Sequence, residues 1–253
     1  MPVETYQQLT ARARTRRTNL QLGGVLAFVA GAVNAGGYLA VHRYTSHMTG
    51  VVSAVADNLA LGELADALAG LALLVAFVLG AATTALVVNW AHRRELQGEF
   101  ALALLLEALL LLVFGLLGAH MHLWVDVIAP STALLLCFLM GLQNAMVTKV
   151  SNAEVRTTHM TGIVTDFGLE LGRLLYWNRS IAANDRYFVR ANRDKLRVHG
   201  AILALFFVGA VAGALAFKRL GFLATVPLAI ALLLLAAPPL VADLRDLRAA
   251  RRH

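Results

Sequence analysis

The sequence predicts an all-α membrane protein with about six transmembrane helices and two short re-entrant or broken helices, arranged as an inverted internal repeat. Of the 253 residues, 59% are hydrophobic and only 15% are charged, whereas roughly a quarter of a soluble domain is charged. The charges cluster between long apolar runs rich in Leu, Ala and Val, which suit membrane helices rather than the alternating strands of a barrel. The third observation is a seven-residue motif that occurs twice.

Six apolar runs are long enough to cross about 30 Å of hydrocarbon at about 1.5 Å per residue. Two further apolar segments are shorter and carry acidic residues. Asp57 lies in the first, and Asp166 and Glu170 lie in the second. The predicted spans are residues 20–41, 67–91, 100–119, 127–148, 199–217 and 220–242, and the short segments are residues 48–62 and 160–175.

The two short segments open with the same motif, since residues 47–53 read HMTGVVS and residues 159–165 read HMTGIVT. Each motif follows an apolar run with an internal amide, Asn34 in the first case and Asn144 in the second. Each also precedes a Leu-Gly pair and then a span that contains several small residues. So many features in the same order predict two homologous halves. The halves are placed at residues 20–120 and 127–242, the second with a basic insert at 176–198.

The distribution of Lys and Arg selects the topology. If the short segments return to the face they enter, six crossings place 19 of the 22 Lys and Arg residues on one face; if they cross fully, eight crossings place only 15 there. Positive residues concentrate on the cytoplasmic face, so we expect six crossings, with cytoplasmic tails at 1–19 and 243–253. Three crossings in each half give the halves opposite orientations, as in many secondary transporters. We expect the protein in the inner membrane of a bacterial cell.

Three sequences carry a resemblance to a known family: Val33-Asn34-Ala35, Thr45-Ser46-His47-Met48-Thr49-Gly50 and Leu61-Gly62. They resemble the YoaK family of bacterial multi-pass membrane proteins, a domain of unknown function, and the similarity extends over residues 20–242. Members of that family usually carry Asn directly after Thr-Gly, where this chain has Val51 and Ile163. A role of that amide therefore does not carry over. The resemblance implies the fold and the membrane location, and it implies no substrate.

The repeated His-Met-Thr-Gly sequence predicts the start of a helix. Gly followed by an apolar run opens a helix, and Thr just ahead of it is a good N-cap. Helix N-termini attract anions and polar oxygens, so two such termini at matching places in inverted halves predict a central binding site. In the alternative interpretation, Thr only caps, Gly only allows close packing and His lies in a helix interface. The predicted binding residues are His47, Thr49, Gly50, Ser53, His159, Thr161, Gly162, Thr165, Asn34 and Asn144.

Three carboxyl groups in apolar segments are candidates for proton or ion coupling, because charge within a membrane is costly and usually faces protein or water. Glu107 lies roughly 10 Å deep in its predicted span. It would either exchange a proton or stay neutral and bonded to a neighbouring helix. Asp57 and Asp166 would be cation or proton ligands if their segments face a cavity, and merely solvated if they lie at a segment's rim.

Small residues spaced four apart predict close helix packing. They occur in three of the predicted helical segments: Ala27, Gly31 and Ala35; Gly168 and Gly172; Gly209 and Gly213. We expect helix backbones to approach one another at these positions.

The leading hypothesis is a transporter or channel-like permease for a small polar or anionic solute, with its site where the two motifs converge. Two other hypotheses stay open: a non-transporting membrane scaffold or assembly factor, and an intramembrane enzyme that uses His47, His159 or Glu107. We expect no enzymatic activity, because the familiar catalytic signatures are missing, and no cofactor or metal. The expected partners are the lipid bilayer and the solute, with a homo-oligomer left open. Nucleic acid is not expected, because topology explains the basic excess.

Overall fold

The computed structural model describes residues 16–41, 44–120, 125–150, 160–178, 185 and 187–250. Within these residues the chain forms eight α-helices and no β-strand. A short 3₁₀ turn, Gly221–Ala224, joins the last two helices. The helices are α1 (Arg16–Val41), α2 (Met48–Leu61), α3 (Leu64–Arg93), α4 (Ala101–Ala119), α5 (Val125–Val150), α6 (Met160–Leu175), α7 (Arg193–Leu220) and α8 (Thr225–Ala250).

The predicted all-α membrane fold is confirmed. Each predicted span corresponds to one long helix, and each short segment forms one short helix. Five helical stretches are long and apolar enough to cross a membrane, and the last of them, Arg193–Asp246, contains both α7 and α8. The helices extend beyond the predicted spans mainly at the start of α7 and the end of α8. Leu, Ala and Arg are good helix formers, so the helix continues after its apolar part.

Helix α1 and its counterpart in the second half, α5, cross in opposite directions. The Gln143 side chain on α5 donates a hydrogen bond to the Leu26 carbonyl on α1 at 3.4 Å. Leu136, which comes earlier on α5, lies against Gly37 near the end of α1. Because the contact positions ascend along one helix and descend along the other, the two helices are antiparallel.

The last helices of the two halves, α4 and α8, are also antiparallel. Just before α4, the N–H of Gly98 donates to the carboxylate of Asp243 on α8 at 3.1 Å. Near the end of α4, Gly115 lies against Thr225 at the start of α8. Two pairs of equivalent helices that run in opposite directions form an inverted repeat, as the sequence predicts.

The most extensive helix contacts each combine one helix from each half, and these pairs are parallel. Helix α1 packs along α7, and α3 packs along α5. The contacts that establish these directions are Gly24 with Leu205 and Gly36 with Phe217 for the first pair, and Thr84 with Leu142 and Asn89 with Lys149 for the second. Two helices of each half therefore make their most extensive contacts with helices of the other half.

These directions make α2 and α6 re-entrant. We call the membrane face at which α1 begins the N face. Helix α3 is parallel to α5 and so antiparallel to α1; it begins at the opposite face, where α1 ends, and α2 between them does not cross. By the same reasoning, α6 leaves the N face after α5 and returns to it before α7. Each half therefore crosses the membrane three times, and α8 ends at the N face.

A reciprocal contact between glycine and phenylalanine joins α1 to α7. A Cβ atom on Gly31 would overlap the carbonyl oxygen of Phe206, and a Cβ atom on Gly209 would overlap the carbonyl oxygen of Phe28. The same arrangement joins α3 to α5 through Gly80 with Phe138 and Gly141 with Phe77. Only glycine allows backbones to approach this closely, so the predicted close packing at Gly31 and Gly209 is confirmed.

The predicted close packing at Gly168 and Gly172 is wrong. No atom of the described chain lies within 4 Å of the Cβ position at either residue. Helix α6 instead meets α7 through a large side chain, since Phe167 lies against Gly200. The ring holds the two helices apart, and Gly168 and Gly172 therefore contact no other helix of the described chain.

Candidate functional site

A cavity of about 320 Å³ lies where the two halves meet. Phe77 and Phe206 line it from the middle of α3 and the middle of α7, which places it near the mid-depth of the helical bundle. Both repeated motifs contribute to it. The lining residues are Asn34, Tyr44, Ser46, His47, Met48, Thr49, Phe77, Asn144, Met160, Thr161 and Phe206.

Most of the lining residues form pairs at equivalent positions of the two halves. Two of the pairs lie in the repeated motif. A third pair consists of the two asparagines that come three residues after the close-packed glycines of α1 and α5. The fourth consists of the phenylalanines of α3 and α7 that take part in the glycine contacts. The pairs are Met48 with Met160, Thr49 with Thr161, Asn34 with Asn144 and Phe77 with Phe206. A cavity lined by equivalent residues of inverted halves lies on the pseudo-two-fold axis that relates them.

Helices α2 and α6 begin at this cavity. The prediction that Thr49 caps α2 is wrong, because the residue before the helix is His47, whose side chain makes no capping hydrogen bond. A turn replaces the cap, since the Met48 N–H donates to the Ser46 carbonyl at 3.2 Å. Thr49 and Thr161 are instead the second residues of their helices. Neither hydroxyl has a hydrogen-bond partner within the described chain, so both can interact with a molecule in the cavity.

Ser46 fixes the orientation of Asn34 in the cavity wall. The Ser46 hydroxyl donates to Asn34 Oδ1 at 2.8 Å. The structure describes no acceptor for the amide N–H groups of Asn34, so this side chain offers donors to the cavity. Asn144, at the equivalent position, is only 7% exposed and lines the same cavity. Two amides from opposite halves therefore contribute to one polar wall.

The structure brings some of the predicted binding residues together and not others. Gly50 lies against the ring of His47, and no described atom lies within 4 Å of the Cβ position of Gly162. Ser53 and Thr165 are exposed outside the cavity lining, and the Thr165 hydroxyl donates to the Thr161 carbonyl at 2.8 Å. The prediction for His159 lies outside the described residues. Those that line the cavity are Asn34, His47, Thr49, Asn144 and Thr161.

None of the three candidate coupling carboxyls lines the cavity. Asp57 and Asp166 are exposed on α2 and α6. Glu107 is fully buried in α4, and neither of its carboxyl oxygens has a hydrogen-bond partner among the described residues. Burying a polar group without a partner is destabilising, and more so if the group is charged. Favourable packing therefore does not account for a carboxyl at this position.

A polar bridge fixes the end of α6 to the start of α7 at the N face. Glu170 accepts hydrogen bonds from the Asn192 N–H and from the Arg173 guanidinium, both at 2.7 Å. The Asn192 N–H and the Arg173 charge hold the pKa of the Glu170 carboxyl below its ordinary value. Asn192 also caps α7, since its side chain accepts from the Lys195 N–H at 3.0 Å. The bridge anchors the re-entrant helix whose first residues line the cavity.

A second cavity, of about 480 Å³, lies between α1, α3 and α5. Apart from Asp66, the described residues that line it are Ala, Leu, Val and Pro. Such a lining offers almost no hydrogen bonds to a polar solute. The cavity on the pseudo-two-fold axis is therefore the stronger candidate site.

Several cavity residues escape prediction from the sequence, although a signal for them exists. A Phe-x-x-Gly pattern occurs in α1, α3, α5 and α7 at the glycines that form the close contacts. In α1 and α5 it extends to Phe-x-x-Gly-x-x-Asn-Ala, which locates the asparagine pair as well. The lining residues that are not among the binding residues predicted from the sequence are Tyr44, Ser46, Met48, Phe77, Met160 and Phe206.

Comparison with curated proteins and with solved structures finds no match to this chain. A family model described as "Protein of unknown function (DUF1275)" matches residues 22–237. The matched region contains both re-entrant helices and every residue that lines the candidate site. The narrower resemblance to the YoaK family stays a prediction. This chain belongs to the DUF1275 family of proteins of unknown function.

Proposed function

We propose that this protein is a transporter or channel-like permease that moves a small polar solute across a bacterial inner membrane, with the cavity on the pseudo-two-fold axis as its binding site. The observation that carries the proposal is the lining of this cavity by equivalent residues from both inverted halves. Sites at the midplane between inverted repeats are typical of secondary transporters, because opposite movements of the halves then expose one site to either side in turn.

The composition of the lining supports a small polar solute. The described lining residues include amides, hydroxyls and one imidazole, but no carboxylate, Lys or Arg. Phe and Met side chains form the rest of the wall and limit contact with water. Polar groups that converge beside apolar and aromatic side chains are typical of small-molecule sites.

The two other hypotheses fit the cavity less well. A membrane scaffold has no need of a polar cavity with matched residues at mid-depth. An intramembrane enzyme needs a nucleophile, a base and an orienting group within hydrogen-bond distance. His47 is the one titratable imidazole in the described lining, and the Glu107 carboxyl lies outside it. We therefore keep transport as the proposal and exclude enzymatic activity from it.

The charge distribution supports an orientation with the N face in the cytoplasm. The α3–α4 connection, the α6–α7 connection and the end of α8 lie at this face and carry many of the basic residues. Basic residues near span ends are retained on the cytoplasmic side and attract anionic lipid. With Cys137→Ala as background, an impermeant thiol reagent should label His120→Cys and not Asp185→Cys in intact cells. Labelling of Asp185→Cys but not of His120→Cys would show that the orientation is the opposite one.

Flux into proteoliposomes tests the transport proposal. Vesicles with purified protein should admit at least one of urea, glycerol or potassium nitrate faster than protein-free vesicles. Thr49→Val and Thr161→Val should each slow that flux roughly fivefold, the equivalent of one lost hydrogen bond of about 1 kcal/mol. Because both hydroxyls belong to one site, the double variant should depart from the product of the two single effects.

Thr83→Val is the matched control, because the Thr83 hydroxyl donates to the Leu79 carbonyl within α3 and does not line the cavity. Its flux should equal that of the unchanged protein. Unfolding midpoints in detergent should be similar for all the Thr variants. The proposal fails if no probe enters faster than it enters protein-free vesicles, or if the Thr49 and Thr161 variants behave like the Thr83 control.

A further inference from the structure

We infer that the cavity selects small monovalent oxyanions over cations of the same shape, and that Ser46 sets this preference by orienting the Asn34 amide. This inference rests on the proposed transport function and specifies its substrate class. Asn34 is the residue that determines specificity, and Ser46 acts through it as a positioning residue. The deciding observation is the hydrogen bond of 2.8 Å from the Ser46 hydroxyl to Asn34 Oδ1.

The hydrogen bond leaves one face of the Asn34 side chain for the solute. Oδ1 is occupied by Ser46, and the amide N–H groups have no acceptor among the described residues. If the amide turned over, its N–H would donate to the Ser46 hydroxyl oxygen, and the hydroxyl proton would lose the one acceptor that the structure describes for it. The pairing in the structure satisfies that proton and directs the amide donors at the cavity.

The rest of the described lining adds further donors and no negative charge. The Thr49 and Thr161 hydroxyls have no partner there and can donate to a solute. Cations such as Na⁺ or guanidinium need carboxylate or carbonyl oxygens. The acidic side chains of the two re-entrant helices, Asp57 and Asp166, are exposed away from the cavity. An oxyanion can accept from the Asn34 amide and from both Thr hydroxyls, whereas a cation finds hydroxyl oxygens but no carboxylate among the described lining residues.

The described lining holds few ionisable side chains, so we attribute the preference to hydrogen bonding. His47 and Tyr44 are the titratable residues of the described lining. The Tyr44 ring stacks on Tyr38 with centroids 4.6 Å apart. The described lining contains no Asp, Glu, Lys or Arg, which leaves the orientation of the amide as the selective feature.

Nitrate, urea and guanidinium test this inference, because all three are trigonal and planar. Nitrate only accepts hydrogen bonds, urea both accepts and donates, and guanidinium only donates. Their entry into proteoliposomes should follow the order nitrate, urea, guanidinium, with potassium and valinomycin present to balance charge. Asn34→Asp keeps the shape but replaces the donors by a carboxylate. It should slow nitrate by roughly tenfold or more through charge repulsion, and it should speed guanidinium.

Ser46→Ala should narrow the ratio of nitrate to guanidinium flux by about fivefold, since the amide is then free to turn. A merely structural role of Ser46 would change all three fluxes equally. Asn89→Asp and Ser131→Ala are the matched controls, because both residues lie outside the cavity lining and should leave the order unchanged. If Asn34→Asp fails to fold, the flux ratio in Ser46→Ala still tests the inference.

The outcomes separate this inference from the proposed function. If neither these three probes nor glycerol enters faster than it enters protein-free vesicles, the transport proposal itself fails. If the unchanged protein moves a solute but guanidinium enters as fast as nitrate, transport stands and the inference is overturned. If the three fluxes follow the same order in the unchanged protein, in Asn34→Asp and in Ser46→Ala, the inference is overturned as well.

Discussion

The two halves of the protein build one cavity, but the connection that follows each re-entrant helix differs between them. In the first half, only Gly62 and Glu63 join α2 to α3. Gly62 has a φ of 80°, a left-handed conformation that favours glycine, and the Glu63 N–H donates to the Asn58 carbonyl at 2.8 Å. In the second half, the residues from 176 to 192 join α6 to α7, and the Glu170 carboxylate fixes the junction.

The difference between the halves indicates which parts of the repeat are constrained. Helices α1 and α3 each pack along a helix of the other half, so a change at one close contact disturbs both halves. The two connections, by contrast, differ in length and charge, as connections between helices commonly do. The longer connection lies at the N face and carries Arg179, Arg186 and Arg190, and positive charge at this face supports the proposed orientation.

A second difference lies in the last helices of the halves. Helix α4 carries the fully buried Glu107, whereas the buried residues of α8 at the corresponding depth are apolar, such as Ala229 and Leu232. The α4–α8 interface is therefore asymmetric in charge although its helices are equivalent. Any proton coupling through Glu107 belongs to one half alone.

The largest effects should come from the contacts that the two halves share. Gly80→Val and Gly209→Val each introduce side chains where the carbonyl oxygens of Phe138 and Phe28 already lie. Each should lower the free energy of unfolding by about 3 kcal/mol or more. Gly172→Val is the control, because no described atom lies within 4 Å of its Cβ position. Thermal unfolding in detergent measures all three variants. A large loss of stability in only one of Gly80→Val and Gly209→Val would show that the two equivalent contacts do not contribute alike.

The fold is largely predictable from the sequence because lipid imposes simple rules. Hydrocarbon thickness fixes the length of the spans, and the Lys and Arg distribution distinguishes six crossings from eight. Repetition of the motif around Thr49 and Thr161 then gives the inverted repeat. The start of α2 is where local rules mislead, since Thr49 is a good N-cap by type but a Ser46–His47 turn precedes the helix instead.

The cavity is less predictable, because it depends on which helices meet. Nothing in the local sequence of α3 or α7 shows that Phe77 and Phe206 face one space. That follows only once each is paired with the glycine of a partner helix. Ser46 is missed for a similar reason, since its hydrogen bond to Asn34 joins residues of different segments. Ser53 and Thr165 follow Thr49 and Thr161 by four residues on the same helix face, but one turn along the helix already places them outside the cavity lining.

An intermediate effect should follow replacement of Glu107. A buried carboxyl without a partner costs roughly 1–3 kcal/mol, so Glu107→Leu should raise the free energy of unfolding by about that amount, while Glu107→Gln should not. If the carboxyl carries a proton during transport, both variants should also remove the pH dependence of solute flux. Leu111→Ala, a change to a fully buried apolar residue of the same helix, should lower stability and leave that pH dependence intact. An unchanged pH profile in Glu107→Gln would end the coupling hypothesis.

The smallest effect should come from the Glu170 bridge of the second half. Glu170 has a lowered pKa in the folded protein, because the Asn192 N–H and the Arg173 guanidinium favour its charged form. The stabilisation is therefore fully present above the pKa of the unfolded chain, about 4.3, and is lost as the pH falls through the lower folded value. Glu170→Gln should melt below the unchanged protein at pH 7, and the gap should close below about pH 4. Asp194→Asn is the matched control, because its exposed pair with Arg197 spans 3.9 Å and such pairs contribute little. A gap that stays constant from pH 7 to the acid range would show that packing of the Glu170 side chain, and not its charge, holds α6 against α7.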